Sequence, residues 1–297
     1  MSATVRAYLL VNAATLLWAG NVVLGRALRD AVGPWTLAAL RAAVAAVPFL
    51  LLLARSPREG PAARRDWVAA AGMTLCGVVG FQVLLYSGLR HTTALNAAVV
   101  NATGPLVTIL LARLLGAHSL RGGQVVGAAA SLAGVAAVVS QGSWETLRSL
   151  QWNPGDLLVL AAVFLWAAYS LLGKALLARR STVWVTAVTT LGALPVLAGP
   201  ALWESWARAP ALEGSLLLAV LYIGLGPSFL AFLAWNQGVR RLGAAGAMAY
   251  YNTLPVYAGL LGAAALGEWP AAYQIWGTAL VLAGCVLAAR SGPEAAR

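Results

Sequence analysis

Two pairs of aromatic and polar residues recur in this sequence at helical spacing. Trp18 precedes Asn21 by three residues, and Trp166 precedes Tyr169 by three. Residues three apart share one face of a helix, so each pair would present an indole ring beside a hydrogen-bonding group. Facing a central cavity, these side chains would offer apolar walls and polar contacts to a small solute. Tight packing between helices would use the same residues, so both interpretations stay open.

Further polar residues fall inside apolar runs. Gln82 and Tyr86 are four residues apart, and Asn236 occupies the position equivalent to Tyr86. Asn101 and Tyr251 each precede a proline by four residues, and proline deprives the carbonyl four residues back of its hydrogen bond. Simple kinks stabilised by neighbouring helices are the alternative to a site at these breaks. The candidate substrate-binding residues are Trp18, Asn21, Gln82, Tyr86, Asn101, Trp166, Tyr169, Asn236, Tyr251 and Asn252, with Pro105, Pro227 and Pro255 as candidate kink or gating positions.

The charged residues make a catalytic site a poor fit. An enzyme would need paired acids, a histidine cluster or an activated nucleophile, and none falls inside the apolar runs. The acidic residues lie at the ends of these runs or between them, which disfavours a proton relay. Cys76 and Cys285 have neither disulfide nor zinc spacing. We therefore expect no catalytic residue, no metal and no cofactor, although a membrane-embedded enzyme or a scaffold remains an alternative.

The composition predicts an integral membrane protein. The 297 residues are 61% hydrophobic and 10% charged, with a mean hydropathy of +0.79. Apolar runs of about 20 residues are long enough to cross the hydrocarbon of a bilayer. The net charge of +11 reflects arginines in short loops, as membrane topology requires, and does not indicate nucleic acid binding. The expected partners are the lipid bilayer and a small-molecule substrate; the oligomeric state is open, and a monomer is allowed.

Apolar runs between helix breakers predict ten transmembrane helices. They span about 7–28, 36–54, 67–89, 93–115, 122–140, 156–178, 182–203, 214–239, 243–266 and 271–290. With the N-terminus inside, the inner segments hold twelve arginines and the outer loops four. The excess of positive charge predicts that both termini are cytoplasmic. Pro227 is expected to break the eighth helix. Arg41 lies deep in the second; it could attract a carboxylate, but we expect it to extend to the outer surface. Arg26 and Lys174 lie closer to helix ends, and we expect each to extend to the nearby membrane surface.

The chain contains an internal duplication. The stretch TLLWAGNVVLGRAL (15–28) shares seven of fourteen positions with VFLWAAYSLLGKAL (163–176), and QVVGAAASLAG (124–134) resembles QIWGTALVLAG (274–284). Each copy holds five predicted helices, so the second copy would enter the membrane from the opposite face. We expect an all-α membrane fold with two inverted five-helix repeats, residues 1–141 and 156–291. The recurring glycines of the fifth and tenth helices would allow close helix packing, within the chain or with a partner subunit.

This pattern resembles the drug/metabolite transporter superfamily. The segment YSGLRHTTALNAAVVNATGPLVTILLARLL (86–115), followed by a Q-x-x-G helix and present in two copies, is similar to ten-helix EamA-type transporters. Among these it is most similar to bacterial YddG-type exporters of aromatic amino acids. The family usually has a Glu before the last helix of each repeat; Glu268 fits, whereas His118 replaces it in the first copy.

The resemblance implies function and location. It implies a transporter in the bacterial inner membrane that exports amino acids, aromatic or neutral, or related metabolites by alternating access. A multidrug or other metabolite exporter of the same fold is the alternative. The sequence lacks the embedded Glu of the first helix on which small multidrug members depend, so we expect transport that is not driven by protons.

Overall fold

The computed structural model describes most of the chain. It covers residues 3–57, 59–115, 122–148, 153–207, 209–210, 214–235, 237–238 and 251–290, and every regular element within these ranges is helical. This agrees with the predicted all-α class.

The described residues of the first half form five hydrophobic helical spans and a short connecting helix. Two spans are composite: a π segment joins α3 to α4, and a break separates α5 from α6. The elements are α1 (Ala3–Ala27), α2 (Pro34–Arg55), α3 (Arg64–Met73), the first π segment (Thr74–Gly80), α4 (Phe81–Gly88), α5 (Ala94–Asn101), α6 (Gly104–Leu114), α7 (Gly122–Val139) and the short α8 (Trp144–Arg148).

 The first four of these spans are long and apolar enough to cross a membrane, while α7 is a shorter apolar helix.

The second half has a similar order of elements. It comprises α9 (Pro154–Leu177), α10 (Thr182–Ala207), α11 (Gly214–Leu225), the second π segment (Gly226–Leu230), α12 (Leu254–Leu266) and α13 (Ala272–Arg290), and helical backbone continues from the second π segment through residues 231–235. In the described part of the chain, three of its spans are long and apolar enough to cross a membrane, and α12 and α13 are shorter apolar helices. Each of the ten predicted spans overlaps a described helix, and residues 243–250 of the ninth lie outside the described ranges.

Large apolar side chains on the outside of the helices support a membrane location. Leu51, Leu218 and Leu260 are among many exposed leucines within the spans. Such a surface is stable against lipid, because exposing so much apolar area to water would be unfavourable. Near helix ends, Trp203 and Trp206 are also exposed, as expected for residues at the membrane interface. The chain is therefore a multi-pass membrane protein.

Two helices contain a π segment at equivalent positions of the duplication. An offset of 150 residues places Gly226–Leu230 over residues 76–80, within the first π segment. Pro227 lies inside the second π segment, and the helical span continues past it to Trp235. The prediction that Pro227 breaks the eighth helix is therefore wrong, because a local widening to the π form accommodates the proline without ending the helix.

The backbone turns just before two further prolines, as the sequence predicts. Residues 102–103 separate α5 from α6, and residues 252–253 precede α12 in the same turn conformation. The backbone angles at the two interruptions agree closely: Thr103 has φ −77° and ψ −6°, and Thr253 has φ −78° and ψ −6°. Pro105 and Pro255 each follow as the second residue of the next helix, where the missing N–H is tolerated. Turns thus precede both prolines, and residues 239–250, ahead of the second turn, lie outside the described ranges.

Helices α7 and α13 pack closely through their recurring glycines. A Cβ atom on Gly134 would lie 2.6 Å from the carbonyl oxygen of Gly277, and one on Gly284 would meet the carbonyl oxygen of Gly127. The contacts join early residues of one helix to late residues of the other, so the two helices run antiparallel. Ser131 adds a hydrogen bond from its Oγ to the Val281 carbonyl at 3.1 Å. The stripe of small residues therefore packs within the chain.

Polar contacts join the two halves at both ends of the helices. At one end, Arg179 Nε and Arg180 Nη2 lie 2.9 and 3.1 Å from the carboxylate oxygens of Asp66. At the other, Arg26 Nε donates to Glu268 Oε1 at 2.8 Å. The expectation that Arg26 extends to the surface is wrong, because Glu268 and the loop carbonyls of Leu89 and Arg90 bind its guanidinium. The Lys174 side chain lies outside the described part of the structure.

Candidate substrate-binding site

A cavity lies between the two halves, around the middle of the helices. Its volume is about 40 Å³ in this conformation. Both predicted repeats contribute to its wall. The lining residues are Ala38, Arg41, Ala42, Ala45, Gly77, Val78, Gln82, Trp166, Tyr169, Thr186, Thr189, Thr190, Ser228 and Phe232.

Arg41 brings a positive charge to this cavity. Its side chain is buried, with the residue only 6% exposed. Nε and Nη2 donate to Ser228 Oγ at 3.0 and 2.7 Å, while Nη1 donates to Tyr86 Oη at 2.9 Å and to Gln82 Oε1. The expectation that Arg41 extends to the outer surface is therefore wrong, since partners on α4 and the second π segment hold the guanidinium inside the protein.

The position of Ser228 follows from the neighbouring proline. Pro227 has no N–H, so the carbonyl of Ile223, four residues back, loses its usual helical donor. Ser228 Oγ supplies a replacement and donates to that carbonyl at 2.7 Å. Once its proton is used in this way, the hydroxyl turns its lone pairs to Arg41. Proline and serine together thus create an acceptor for the arginine inside an apolar helix.

The polar contacts extend from Arg41 to the first helix. Tyr86 Oη accepts from Arg41 and donates to Asn21 Oδ1 at 2.7 Å. The guanidinium carbon of Arg41 also lies 5.9 Å from the centre of the Tyr86 ring, within the range of a cation–π contact. Asn21, Gln82 and Tyr86, all predicted as site residues, therefore belong to one hydrogen-bonded group around Arg41, and Gln82 also lines the cavity.

Aromatic side chains form a second wall. The rings of Trp166 and Tyr169 stack with their centres 4.9 Å apart and an interplanar angle of 19°. Phe81 lies 5.1 Å from Trp166 and Phe232 lies 6.5 Å from it, measured between ring centres. The predicted shared face of Trp166 and Tyr169 is thus present, and both residues line the cavity. A planar apolar group could stack against this wall.

Trp18 packs behind the cavity wall. Its Nε1 donates to the Pro227 carbonyl at 3.1 Å, so its ring N–H has a partner. Its ring centre lies 5.8 Å from that of Phe232, 5.4 Å from Trp235 and 5.7 Å from Tyr251. Phe232 therefore contacts both Trp18 and Trp166, but only Trp166 of these two tryptophans lines the cavity.

The side chains at the helix breaks lie away from the cavity lining. Asn101, Tyr251 and Asn252 are all buried, and none of them lines the described cavity. The Oδ1 atoms of Asn101 and Asn252 accept no hydrogen bond from the described part of the protein. Asn236, the remaining predicted binding residue, lies outside the described residues.

No carboxylate of the described residues contacts Arg41. The ion pairs that the structure shows all join groups near helix ends, and Arg41 takes part in none of them. The buried carboxylate of Asp156, in the first turn of α9, instead accepts from Thr92 Oγ1 and from Asn96 Nδ2. The charge of Arg41 is therefore bound by neutral groups alone in this part of the chain.

Several lining residues escaped the sequence prediction. Ser228 and Phe232 follow a proline in a run without a clear pattern, and their role depends on the π segment. The sequence could have indicated Thr186, Thr189 and Thr190, because hydroxyl residues three and four positions apart share a helix face. Among the described residues, no group of three or more His, Cys, Asp or Glu side chains is placed to hold a metal ion.

Comparison with known proteins defines the class. The EamA-like transporter family matches the chain twice, over residues 5–140 and 153–290. These segments include most of the 297 residues. The chain therefore belongs to the EamA-like transporter family, and the resemblance drawn from the sequence is confirmed.

Individual relatives are transporters as well. The chain is 31% identical over 259 residues to a probable terminal-alkyne amino-acid exporter of Streptantibioticus cattleyicolor, which covers 85% of this chain and 80% of that protein. It is 29% identical over 238 residues to the aromatic amino acid exporter YddG of Ancylobacter novellus, which covers 77% of each. A solved crystal structure of a protein 27% identical in sequence is also similar. The superposition covers 95% of this chain and 97% of the other chain, with a TM-score of 0.63. This protein is thus a membrane transporter and not an enzyme.

Proposed function

We propose that this transporter exports neutral or aromatic amino acids, or related metabolites, by alternating access. The cavity carries the proposal, because Arg41 and Gln82 from the first half and Trp166, Tyr169 and Phe232 from the second line it together. A solute held there contacts both halves, so movement of one half against the other would expose it to each side of the membrane in turn. Two similar proteins named as amino-acid exporters support this class of substrate.

An inverted arrangement of two five-helix repeats, 1–141 and 156–291, is part of the proposal. Two homologous helices, α7 and α13, run antiparallel, and their contacts are reciprocal: Gly134 meets Gly277, and Gly127 meets Gly284. Gly277 and Gly284 are the counterparts of Gly127 and Gly134 at an offset of 150 residues. Reciprocal contacts between antiparallel equivalents are what a twofold axis perpendicular to the helices would produce. The matching π segments and helix breaks give further support.

The proposed location is the bacterial inner membrane, with both termini in the cytoplasm. The arginine distribution supports this orientation. The contacts between helix ends are compatible with ten crossings, since each joins segments expected on the same side. Asp66 with Arg179 and Arg180 would be cytoplasmic, and Arg26 with Glu268 would be external.

The proposal is tested by flux through purified protein in liposomes. We expect Trp166→Ala to lower the exchange of labelled phenylalanine at least about tenfold, because the substitution removes the stacked wall of the cavity. Trp206→Ala is the matched control: Trp206 is 90% exposed at the end of α10, and its loss should leave exchange unchanged. Equal exchange by wild type and both variants would contradict a binding role for this cavity.

An exporter of drugs or other metabolites is the second candidate. The aromatic wall favours it as well as amino-acid export, because stacking does not require an amino or carboxyl group. Competition by a panel of unlabelled amino acids and planar organic cations against phenylalanine exchange separates the two. Inhibition by the cations alone would favour the second candidate.

A further inference from the structure

Arg41 is a buried cation without a negative partner in the described part of the chain. Of the nine acidic residues, seven are described, and each lies at a helix end or in a connection: Asp30, Glu59, Asp66, Glu145, Asp156, Glu204 and Glu268. None of them binds Arg41, whose described partners are Ser228, Gln82 and Tyr86. A hydroxyl, an amide and a phenol satisfy N–H groups but do not neutralise the charge.

Such a cation is costly to keep inside a membrane protein. Buried charges are normally paired, because removal from water is repaid only by an opposite charge with good geometry. Ionisable side chains within the membrane usually face a cavity or the bundle interior and mark the path of a substrate. Arg41 lines the cavity together with two of its partners, Gln82 and Ser228. An anionic group entering the cavity could therefore reach the guanidinium.

We propose that Arg41 binds the carboxylate of the transported amino acid. This inference rests on the proposed function and specifies its substrate as a solute with a carboxylate group. Four of the five N–H groups of the guanidinium are bound by Ser228, Tyr86 and Gln82, so one N–H of Nη2 is left to donate to a carboxylate, and the full positive charge strengthens that hydrogen bond. The hydroxyl of Ser228 and the amide of Gln82 hold the guanidinium in place before the substrate arrives, which reduces the cost of ordering it on binding.

The remaining cavity wall suits the other groups of an amino acid. The hydroxyls of Thr186 and Thr189 donate to the carbonyls of Thr182 and Val185 in their own helix. Their oxygen lone pairs are left as acceptors, the type of group that an ammonium requires. Trp166 and Tyr169 supply the aromatic wall for the side chain. The cavity thus combines a cation for the carboxylate, acceptors for the ammonium and an apolar surface.

A purely structural role for Arg41 makes a different prediction. The residue ties α2 to α4 and to the second π segment, so its loss could weaken the protein regardless of substrate. A structural role would affect acids and amides alike. Carboxylate binding would instead change the ratio between them, and this ratio is the quantity to measure.

The first experiment uses the wild-type protein in liposomes. Labelled phenylalanine is exchanged across the membrane in the presence of unlabelled phenylalanine or phenylalaninamide, and protein-free liposomes give the background leak. The amide keeps the ring and the amino group but lacks the carboxylate. We expect it to inhibit at least about tenfold less well than the acid, the scale of losing one partner of a buried charge pair. Equal inhibition would overturn the role of Arg41 and leave amino-acid transport intact, whereas absence of phenylalanine exchange, and of exchange of any other amino acid, would overturn the proposed function itself.

The second experiment uses variants of helix α2. Arg41→Met should bring the acid-to-amide ratio close to one, and Arg41→Lys should keep part of the preference, because it retains the charge without the planar geometry. Arg55→Met is the matched control: Arg55 is exposed at the end of the same helix, and the ratio should stay at the wild-type value. An unchanged ratio in Arg41→Met would overturn the inference. If Arg41→Met does not fold, Arg41→Lys and the wild-type ratio decide the question.

Discussion

The buried position of Arg41 depends on a proline and a serine in another helix. Pro227 frees the Ile223 carbonyl, Ser228 binds that carbonyl, and the serine oxygen then accepts from Arg41. From the sequence we expected the Arg41 side chain to extend to the outer surface, because long cationic side chains in membrane helices usually reach water. The outcome differs because acceptors from two other helices surround it, and spacing within α2 alone contains no information about them.

Removal of the Ser228 hydroxyl tests this local arrangement. Ser228→Ala leaves the Ile223 carbonyl and two donors of Arg41 without their present partner, and each unpaired buried group costs about 1–3 kcal/mol. We expect a lower melting temperature in detergent and a higher half-saturation concentration for the exchanged amino acid. Ser170→Ala is the control, since its hydroxyl donates only to the Trp166 carbonyl of its own helix at 2.8 Å. Equal behaviour of the two variants would show that Ser228 does not support Arg41.

At the scale of elements, the close approach of α7 and α13 depends on the absence of side chains. A Cβ atom on Gly134 would stand 2.6 Å from a backbone oxygen of Gly277, and backbone cannot move aside as a flexible side chain can. We expect Gly134→Ala to lower the melting temperature, with a cost of about 1–3 kcal/mol for overpacking. In Gly199→Ala, the control, the new methyl group meets no atom within 4 Å. Equal melting temperatures for both variants would contradict the packing.

The sequence predicts some helix irregularities and not others. The breaks before α6 and α12 were predictable, because Pro105 and Pro255 each remove a hydrogen bond at a fixed distance. The π segments were not, since the first contains no proline within Thr74–Gly80. There the chain packs tightly against α9, where a Cβ atom on Gly77 would meet the ring of Tyr169. Contacts of this kind depend on how helices rotate against each other, which hydrophobic patterns alone do not specify.

The candidate site was predictable to a similar extent. Trp166, Tyr169 and Gln82 were predicted and line the cavity, because polar and large aromatic residues in apolar runs are few and therefore conspicuous. Trp18 repeats the same motif but packs behind the wall, with its ring N–H bound to Pro227. The duplication predicts equivalent positions in the two halves, yet the cavity uses those positions unequally. Even where both equivalent positions line the cavity, as Gln82 and Phe232 do, one half supplies an amide and the other an aromatic ring.

For the whole molecule, the orientation in the membrane is open to a direct test. We expect the segment around Gly60 to be cytoplasmic and that around Ala207 to be external, because residues 55–66 hold four arginines whereas residues 204–213 hold one arginine and two glutamates. Single cysteines at these exposed positions, in a variant without Cys76 and Cys285, are labelled in intact cells with an impermeant thiol reagent. Stronger labelling at position 207 is the expected result. Stronger labelling at position 60 would mean that the opposite orientation is correct.

The arrangement of charges in the whole molecule also predicts which gradient drives transport. Transport driven by protons needs a titratable group that communicates with the substrate site, and in the described ranges no Asp, Glu or His lines the cavity. The fully buried Asp156 lies in the first turn of α9, bound to Thr92 and Asn96. We therefore expect that an imposed pH gradient does not drive uphill accumulation of amino acid in liposomes, while a gradient of the amino acid itself drives flux. Accumulation that a protonophore abolishes and that Asp156→Asn lacks would contradict this and identify Asp156 as the proton carrier.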